Sequence, residues 1–163
     1  MATHDPTTQA LAELDALTRA FTKAEEILEQ ARKPLHAAII KHLKARSAPP
    51  GLIADHTPYD RVYVGRIGKK AGVPPLRGPN AAPAPDYDER TSAKALRELD
   101  RLSAAWEVAS ELVEEARTPL HAAIIKHYTE RTVRPGVLAD HTPYDRNYVG
   151  QLVKMAGAPP IRG

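Results

Sequence analysis

The chain has 163 residues, a net charge of +3 and a sequence pI of about 9.2, which is typical of a soluble globular protein with one domain or two small ones. The absence of cysteine excludes disulfide bonds and thiolate metal sites. No apolar run is long enough to span a membrane and the N-terminus lacks the pattern of a signal peptide, so we expect a cytoplasmic protein.

The first predicted element is a long amphipathic helix over about residues 8–32, because apolar residues recur there at alternating spacings of three and four. They are Leu14, Leu17, Phe21, Ala24 and Leu28. Such a stripe must be buried. Its heptad-like spacing allows the helix to fold back on its own unit or to pair with a second long helix.

A second helix is predicted to start near Pro34, because proline is tolerated in the first turn of a helix and disfavoured in its interior. Its buried face would contain Leu35, Ala38, Ile39 and Leu43. Later in the chain, Thr118-Pro119 has the same form, with Thr118 as the N-cap.

The next segment has the order of features of a helix-turn-helix: a short helix over residues 52–56, a turn at 57–59 and a last helix over 60–71. Ala54 is the small residue where two helices cross, and Asp60 can cap the last helix. Val64 and Ile67 point inward one turn apart. Gly72 suits the end of the helix, and no strand is predicted.

The second half of the chain repeats the first with a constant shift and no insertion. By direct alignment, about 42 of 70 positions between Gln9 and Gly78 are identical in the second copy. The sequence therefore predicts an all-α fold of two tandem tri-helical helix-turn-helix units, each preceded by a long amphipathic helix. The first unit spans residues 8–78, a Pro/Ala-rich linker spans 79–92, and the second unit spans 93–163. In the second unit the inward pair of the last helix is Val149 and Leu152.

The segment Leu-Ile-Ala-Asp-His-Thr-Pro-Tyr-Asp-Arg-Val-Tyr-Val-Gly-Arg-Ile, residues 52–67, resembles the helix-turn-helix of small actinobacterial DNA-binding regulators. The preceding Leu-His-Ala-Ala-Ile-Ile-Lys resembles their supporting helix, so the resemblance covers residues 34–72 and 119–157. The family usually has Gly in the turn where this chain has Pro58 and Pro143, which predicts a stiffer turn.

The resemblance implies that the last helix of each unit enters the major groove of double-stranded DNA. The DNA-contacting residues would be Arg61, Val62, Tyr63, Gly65, Arg66, Lys69 and Lys70 in the first unit and Arg146, Asn147, Tyr148, Gly150, Gln151 and Lys154 in the second. Arginine suits guanine edges, whereas asparagine and glutamine suit adenine, so the two helices are predicted to bind different bases. Further phosphate contacts are predicted for Lys41, Lys44 and Lys126.

Gly65 and Gly150 lie inside the predicted last helices, where glycine costs stability. Close approach of the backbone to DNA would explain them, and so would close packing against another helix.

Charge is distributed unevenly along the first unit. Residues 57–78 contain five basic residues and one acidic residue, whereas the helix over residues 8–31 contains five acidic and two basic residues. Phosphate would attract the first segment and repel the second. The equivalent of the basic segment in the second unit is less basic, so we expect the first unit to supply more of the affinity.

Catalytic and metal functions are not predicted. The histidines at positions 36, 42 and 56 and their copies lack a ligand set at useful spacing, and Asp55-His56-Thr57 lacks an activated nucleophile. We therefore expect no enzyme activity, no catalytic residue, no cofactor and no metal.

The sequence predicts a nucleoid-associated, sequence-specific DNA-binding protein that places two recognition helices in successive major grooves, about 34 Å apart. It could be a transcriptional regulator or a nucleoid, plasmid or phage control protein. The alternative is a protein-interaction module or oligomeric adaptor that self-associates through the long first helices.

Overall fold

The computed structural model describes residues 5–75 and 77–157, and within these ranges it contains six α-helices and no strand. The predicted all-α fold is therefore confirmed. The helices are α1 Pro6–Ala45, α2 Pro50–Asp55, α3 Arg61–Lys70, α4 Glu89–Thr129, α5 Pro135–Asp140 and α6 Arg146–Met155. None of them combines the length and the hydropathy that crossing a lipid bilayer requires.

Each long helix continues through the proline at which the sequence predicts a new helix. Pro34 lies inside α1 and Pro119 inside α4, so the prediction of separate helices is wrong at both places. Thr118 caps nothing, because its hydroxyl donates a hydrogen bond to the Glu114 carbonyl oxygen one turn earlier, at 3.1 Å. Neither long helix contains a glycine, and burial elsewhere along each helix offsets the proline's cost of about 3 kcal/mol.

The short helices agree with the prediction within two residues at each end. Pro50 occupies the first turn of α2. The Asp60 carboxylate caps α3 by accepting a hydrogen bond from the Tyr63 backbone N–H at 2.7 Å. Gly72 follows α3 with a φ of 78°, the left-handed conformation that commonly ends a helix. The α5–α6 segment has the same cap, from Asp145 to the Tyr148 N–H.

The inward residues of the last helices differ slightly from the prediction. Val64, Ile67 and Val149 are buried as predicted. Leu152 is only half-buried, and the next residue, Val153, is buried instead. The prediction for Leu152 is therefore wrong by one position, because the spacing of four from Val149 also lies on the inner face of a helix.

The chain forms two compact units whose bounds are not those of the sequence repeat. The central unit is Ile27–Ser110, and the terminal unit combines the chain up to Glu26 with the chain from Glu111 onward. Each unit thus contains the second half of one long helix, the two short helices that follow it, and the first half of the other long helix. The first halves of the long helices therefore do not fold back on their own repeats. The stripe of α4 packs on the second half of the other long helix, α1, and on the short helices that follow it.

The core of the central unit contains residues from all of its helices. Leu35 and Ile39 of α1, Ile53 of α2 and Val64 of α3 pack with Leu99 of α4. All except Val64 are completely inaccessible to solvent, and Val64 is nearly so. The stripe that opens the second repeat is therefore buried against the short helices of the first repeat.

The terminal unit is built in the same way from the equivalent residues. Leu14 of α1 is completely buried, as are Leu120 and Ile124 of α4 and Leu138 of α5. The Thr18 hydroxyl of α1 donates to the His141 carbonyl oxygen at 3.1 Å, matching the Ser103 hydroxyl, which donates to the His56 carbonyl oxygen at 3.0 Å in the central unit. The two units therefore share one construction.

Candidate nucleic-acid interface

The predicted DNA-contacting residues all lie on the outer faces of α3 and α6. Each of the thirteen is exposed. Val62 is 65% exposed although it is aliphatic, so the first turn of α3 carries an apolar side chain that no described residue covers. The prediction therefore placed these residues on accessible faces, and their role in binding DNA stays a prediction.

The basic side chains of the two outer faces have no acidic partners. Arg61, Arg66, Lys69 and Lys70 of α3 form no ion pair with any residue in the described ranges, and neither do the basic residues of α6. Neither helix contains an acidic residue. Each outer face therefore presents cations whose charge is available to an anionic partner.

Gly65 and Gly150 face open space. A Cβ atom added at either position would have no neighbour within 4 Å. Close packing against another helix therefore does not explain these glycines within the described residues, and one of the two predicted explanations is wrong. The close approach of DNA to the helix backbone at these glycines stays a prediction.

Known proteins give no independent assignment for this surface. No family model, curated protein or solved structure matches the chain. The resemblance to actinobacterial regulators therefore stays a prediction.

An aromatic cluster fixes the turn before α3. The rings of Tyr59 and Tyr63 are 4.6 Å apart, and the Tyr59 ring lies 5.9 Å from Trp106 of α4. The Tyr59 hydroxyl is 2.9 Å from His36 Nε2. Because α1, the turn, α3 and α4 all contribute, this cluster ties α3 to both long helices within the central unit.

The cluster changes the ionisation of its members. Burial, reinforced by the nearby Arg32 guanidinium, lowers the pKa of His36 below its usual value, so the ring favours the neutral form. Burial and the neighbouring Tyr63 raise the pKa of Tyr59. The Arg32 guanidinium is itself paired with Glu29 at 2.5 Å.

The terminal unit has the same cluster around the turn before α6. The Tyr144 hydroxyl is 2.9 Å from His121 Nε2, and the rings of Tyr144 and Tyr148 are 4.5 Å apart. Phe21 occupies the place of the tryptophan, with its ring 6.2 Å from Tyr144. Burial and the nearby Arg117 lower the pKa of His121 in the same way.

Each of the other four described histidines lies within hydrogen-bond distance of a carboxylate. In the central unit, His42 Nε2 is 3.2 Å from Glu98 and His56 Nδ1 is 2.6 Å from Asp100. In the terminal unit, His127 and His141 pair with Glu13 and Asp15 in the same manner. No group of three metal-ligating side chains occurs in the described ranges. Sequence reasoning missed these pairs, since their members lie far apart in the chain.

Two of the lysines predicted to contact phosphate have acidic partners. Lys41 pairs with Glu98 at 2.7 Å, and Lys126 lies 4.0 Å from Glu13. The Lys41 and His42 bonds lower the pKa of Glu98. The positive charge of these two lysines is therefore partly neutralised inside the units, which makes them poorer phosphate contacts than the cations of α3. Lys44 is exposed.

Proposed function

We propose that the chain is a non-enzymatic, sequence-specific double-stranded DNA-binding protein with two helix-turn-helix motifs, α2–α3 and α5–α6. The observation that carries the proposal is the exposed outer face of α3, which has four cations, no acidic residue and no ion pair within the described ranges. A related face recurs on α6. Such faces match the phosphate charge of DNA and can enter a major groove.

The side chains on the two faces support base recognition as well as charge attraction. Arg66 of α3 can donate two hydrogen bonds to a guanine edge, whereas Asn147 and Gln151 of α6 offer the donor and acceptor pair that suits adenine. Val62 can contact a thymine methyl group. The proposed site is therefore asymmetric, with a different base preference for each helix.

The proposed role is control of transcription or organisation of a nucleoid, plasmid or phage genome in the cytoplasm. A single chain would do what two subunits of a dimeric regulator usually do, with its two recognition helices in successive major grooves about 34 Å apart. The second repeat has fewer cations on its outer face, so the first supplies more of the affinity.

The test is the salt dependence of binding to random-sequence duplex DNA, measured by fluorescence anisotropy. A variant with Arg61, Arg66, Arg146 and Gln151 changed to Ala should bind at least tenfold more weakly. The slope of log affinity against log salt should fall by about 0.9 for each arginine that contacts a phosphate.

A control variant removes the same number of positive charges elsewhere, with Arg19, Lys23 and Arg101 changed to Ala. These residues are exposed and lie on the long helices. The control should bind DNA almost as wild type does. Equal weakening in both variants would show that binding follows net charge and would reject α3 and α6 as recognition helices.

The alternative function, an interaction module that binds a protein or self-associates through the long helices, is less favoured by the packing. Most of each heptad-like stripe is buried in the two units, with Leu14 and Leu99 inaccessible to solvent, so little of it is left for a partner. A contact through apolar helix faces changes little with salt. Salt-independent binding to a protein, without binding to duplex DNA, would support this alternative.

A further inference from the structure

A cleft of about 490 Å³ lies in the central unit between the start of α2, the side of α3 and the segment that follows α3. Its apolar part is formed by Leu43, Val64, Val73 and the prolines at positions 50 and 74. This volume is within the range of small-molecule binding sites, which are mostly apolar with a few polar groups that orient the ligand.

Three cations line the cleft, and no acidic residue does. They are Arg61, Lys69 and Arg77. All three are exposed, and none forms an ion pair with the part of the chain that the structure describes. An apolar floor beside uncompensated positive charge is complementary to a molecule with an apolar body and an anionic group.

Glycines keep the cleft open. Gly65 lines it without filling it. At Gly68 a Cβ would lie 3.1 Å from Leu43 Cδ1, so a side chain there would press on the Leu43 side chain. In the second repeat Val153 stands at the position of Gly68. At this position α6 therefore carries a larger side chain than α3 does.

The open depression of the terminal unit has a different chemistry. Its lining includes Arg134 and Arg146, and also Asp140 and Asp145. Two positive and two negative charges cancel, so this depression has no preference for an anion.

We infer that the central cleft binds a small amphipathic anion, a carboxylate or phosphate ester with an aliphatic or aromatic body, and that this ligand competes with DNA for α3. The second part rests on the proposed function. Arg61, Gly65 and Lys69 are spaced by four residues and form one row along α3 that belongs both to the cleft and to the outer face. A ligand over this row occupies space and charge that DNA would use.

The binding test uses the full chain and two probes. Anilinonaphthalene sulfonate becomes fluorescent when it enters an apolar site, and decanoate should displace it. Decylamine, of the same length and opposite charge, should displace it at least tenfold less well. The Gly65→Leu variant fills the cleft, and Gly150→Leu is its matched control in the second repeat. Both substitutions add a side chain in open space, so both variants should fold, which circular dichroism checks.

The expected result is that Gly65→Leu binds both probes at least tenfold more weakly and Gly150→Leu binds them as wild type does. Equal binding by wild type and Gly65→Leu, or equal displacement by decylamine and decanoate, would overturn the inference.

Measuring duplex DNA binding in the presence of decanoate distinguishes failure of this inference from failure of the proposed function. Decanoate should weaken duplex binding by wild type and should leave binding by the Arg77→Ala variant less affected. Decanoate binding without any duplex binding would overturn the proposed function alone. Duplex binding that decanoate does not alter, although decanoate occupies the cleft, would overturn the competition.

Discussion

Gly65 and Gly150 are residues at which stability and the proposed function make opposite demands. Glycine in the interior of a helix costs about 0.5–1 kcal/mol relative to alanine. Neither position is crowded, so nothing inside the described protein requires a glycine there. A partner that approaches the helix backbone closely would require one.

Changing Gly65 or Gly150 to Ala should therefore raise the free energy of unfolding by about 0.5–1 kcal/mol and weaken binding to duplex DNA. Urea denaturation and fluorescence anisotropy measure the two effects on the same sample. A gain in stability with unchanged DNA binding would contradict the proposed contact at that glycine.

Gly68 provides the control for stability. It is buried, and a Cβ there would press on the Leu43 side chain. The Gly68→Ala variant should therefore show less stabilisation than Gly65→Ala, or a loss.

His36 and His121 make stability depend on pH. Burial and a nearby guanidinium lower the pKa of each ring in the folded state, whereas the unfolded chain has the usual value of about 6.5. The unfolded state therefore binds more protons below that pH, and the stabilisation present above it is lost as the pH falls.

NMR titration should give a pKa below 6.5 for both rings. The Arg32→Gln variant should raise the pKa of His36 without restoring it fully, because burial is the larger cause. Between pH 7.5 and pH 5, a variant with His36 and His121 changed to Gln should lose less stability than wild type. An ordinary pKa for His36 in wild type would show that this account is wrong.

At the scale of the element, α3 and α6 share their cap and their inward-facing valine but differ on their outer faces. The Asp cap, the inward valine, the glycine and the first arginine are common to both helices. The differences on the outer face are Val62 against Asn147, Arg66 against Gln151 and Lys70 against Met155. Because the cap and the inward-facing valine are shared, the outer side chains can be exchanged between the helices without disturbing the packing.

The double substitution Val62→Asn and Arg66→Gln should give α3 the base preference of α6. Selection from a pool of random duplexes should then return a site with two similar half-sites, where wild type returns two different ones. Overall affinity should fall, since one cation is lost. An unchanged selected site would contradict base recognition by α3.

At the scale of the whole molecule, the exchange of helix halves makes each repeat incomplete by itself. The first repeat contains the short helices of the central unit but lacks Leu99 and Trp106, which pack on them. It carries instead Leu14 and Phe21, which are buried in the terminal unit. In a pair of first repeats, Leu14 and Phe21 of each copy could pack on the short helices of the other copy.

The isolated first repeat, residues 5–78, should therefore form a homodimer when it folds. Sedimentation and circular dichroism should show a helical dimer that becomes an unfolded monomer on dilution. The Leu14→Asp variant of this fragment should not fold. A stable helical monomer would contradict the exchange.

In the full chain, a charged substitution at Leu14 or at Leu99 should destabilise one unit and leave the other unit folded. Trp106 is the only tryptophan and lies in the central unit, so its fluorescence reports on that unit alone. Leu14→Asp should destabilise the terminal unit by several kcal/mol, as expected for an uncompensated charge in a core. Trp106 fluorescence should change little. Leu99→Asp should have the opposite pattern.

Local sequence was sufficient for the short helices and for the accessible faces. Proline in the first turn, an aspartate cap and a terminal glycine act within a few residues, so α2 and α3 could be placed within two residues of their bounds. The burial of Val64 and Ile67 leaves the opposite side of a ten-residue helix exposed, and the residues of the candidate interface follow from that geometry.

The continuity of the long helices and the partners on which they pack were decided by tertiary structure. Pro34 and Pro119 carry a local signal for a helix start, which is overridden when packing elsewhere along the helix offsets the cost of an interior proline. The two repeats also carry the same apolar stripe, so sequence alone cannot assign a stripe to its partner. Because a continuous helix cannot turn back on itself, the first half of each long helix packs on the short helices of the other repeat.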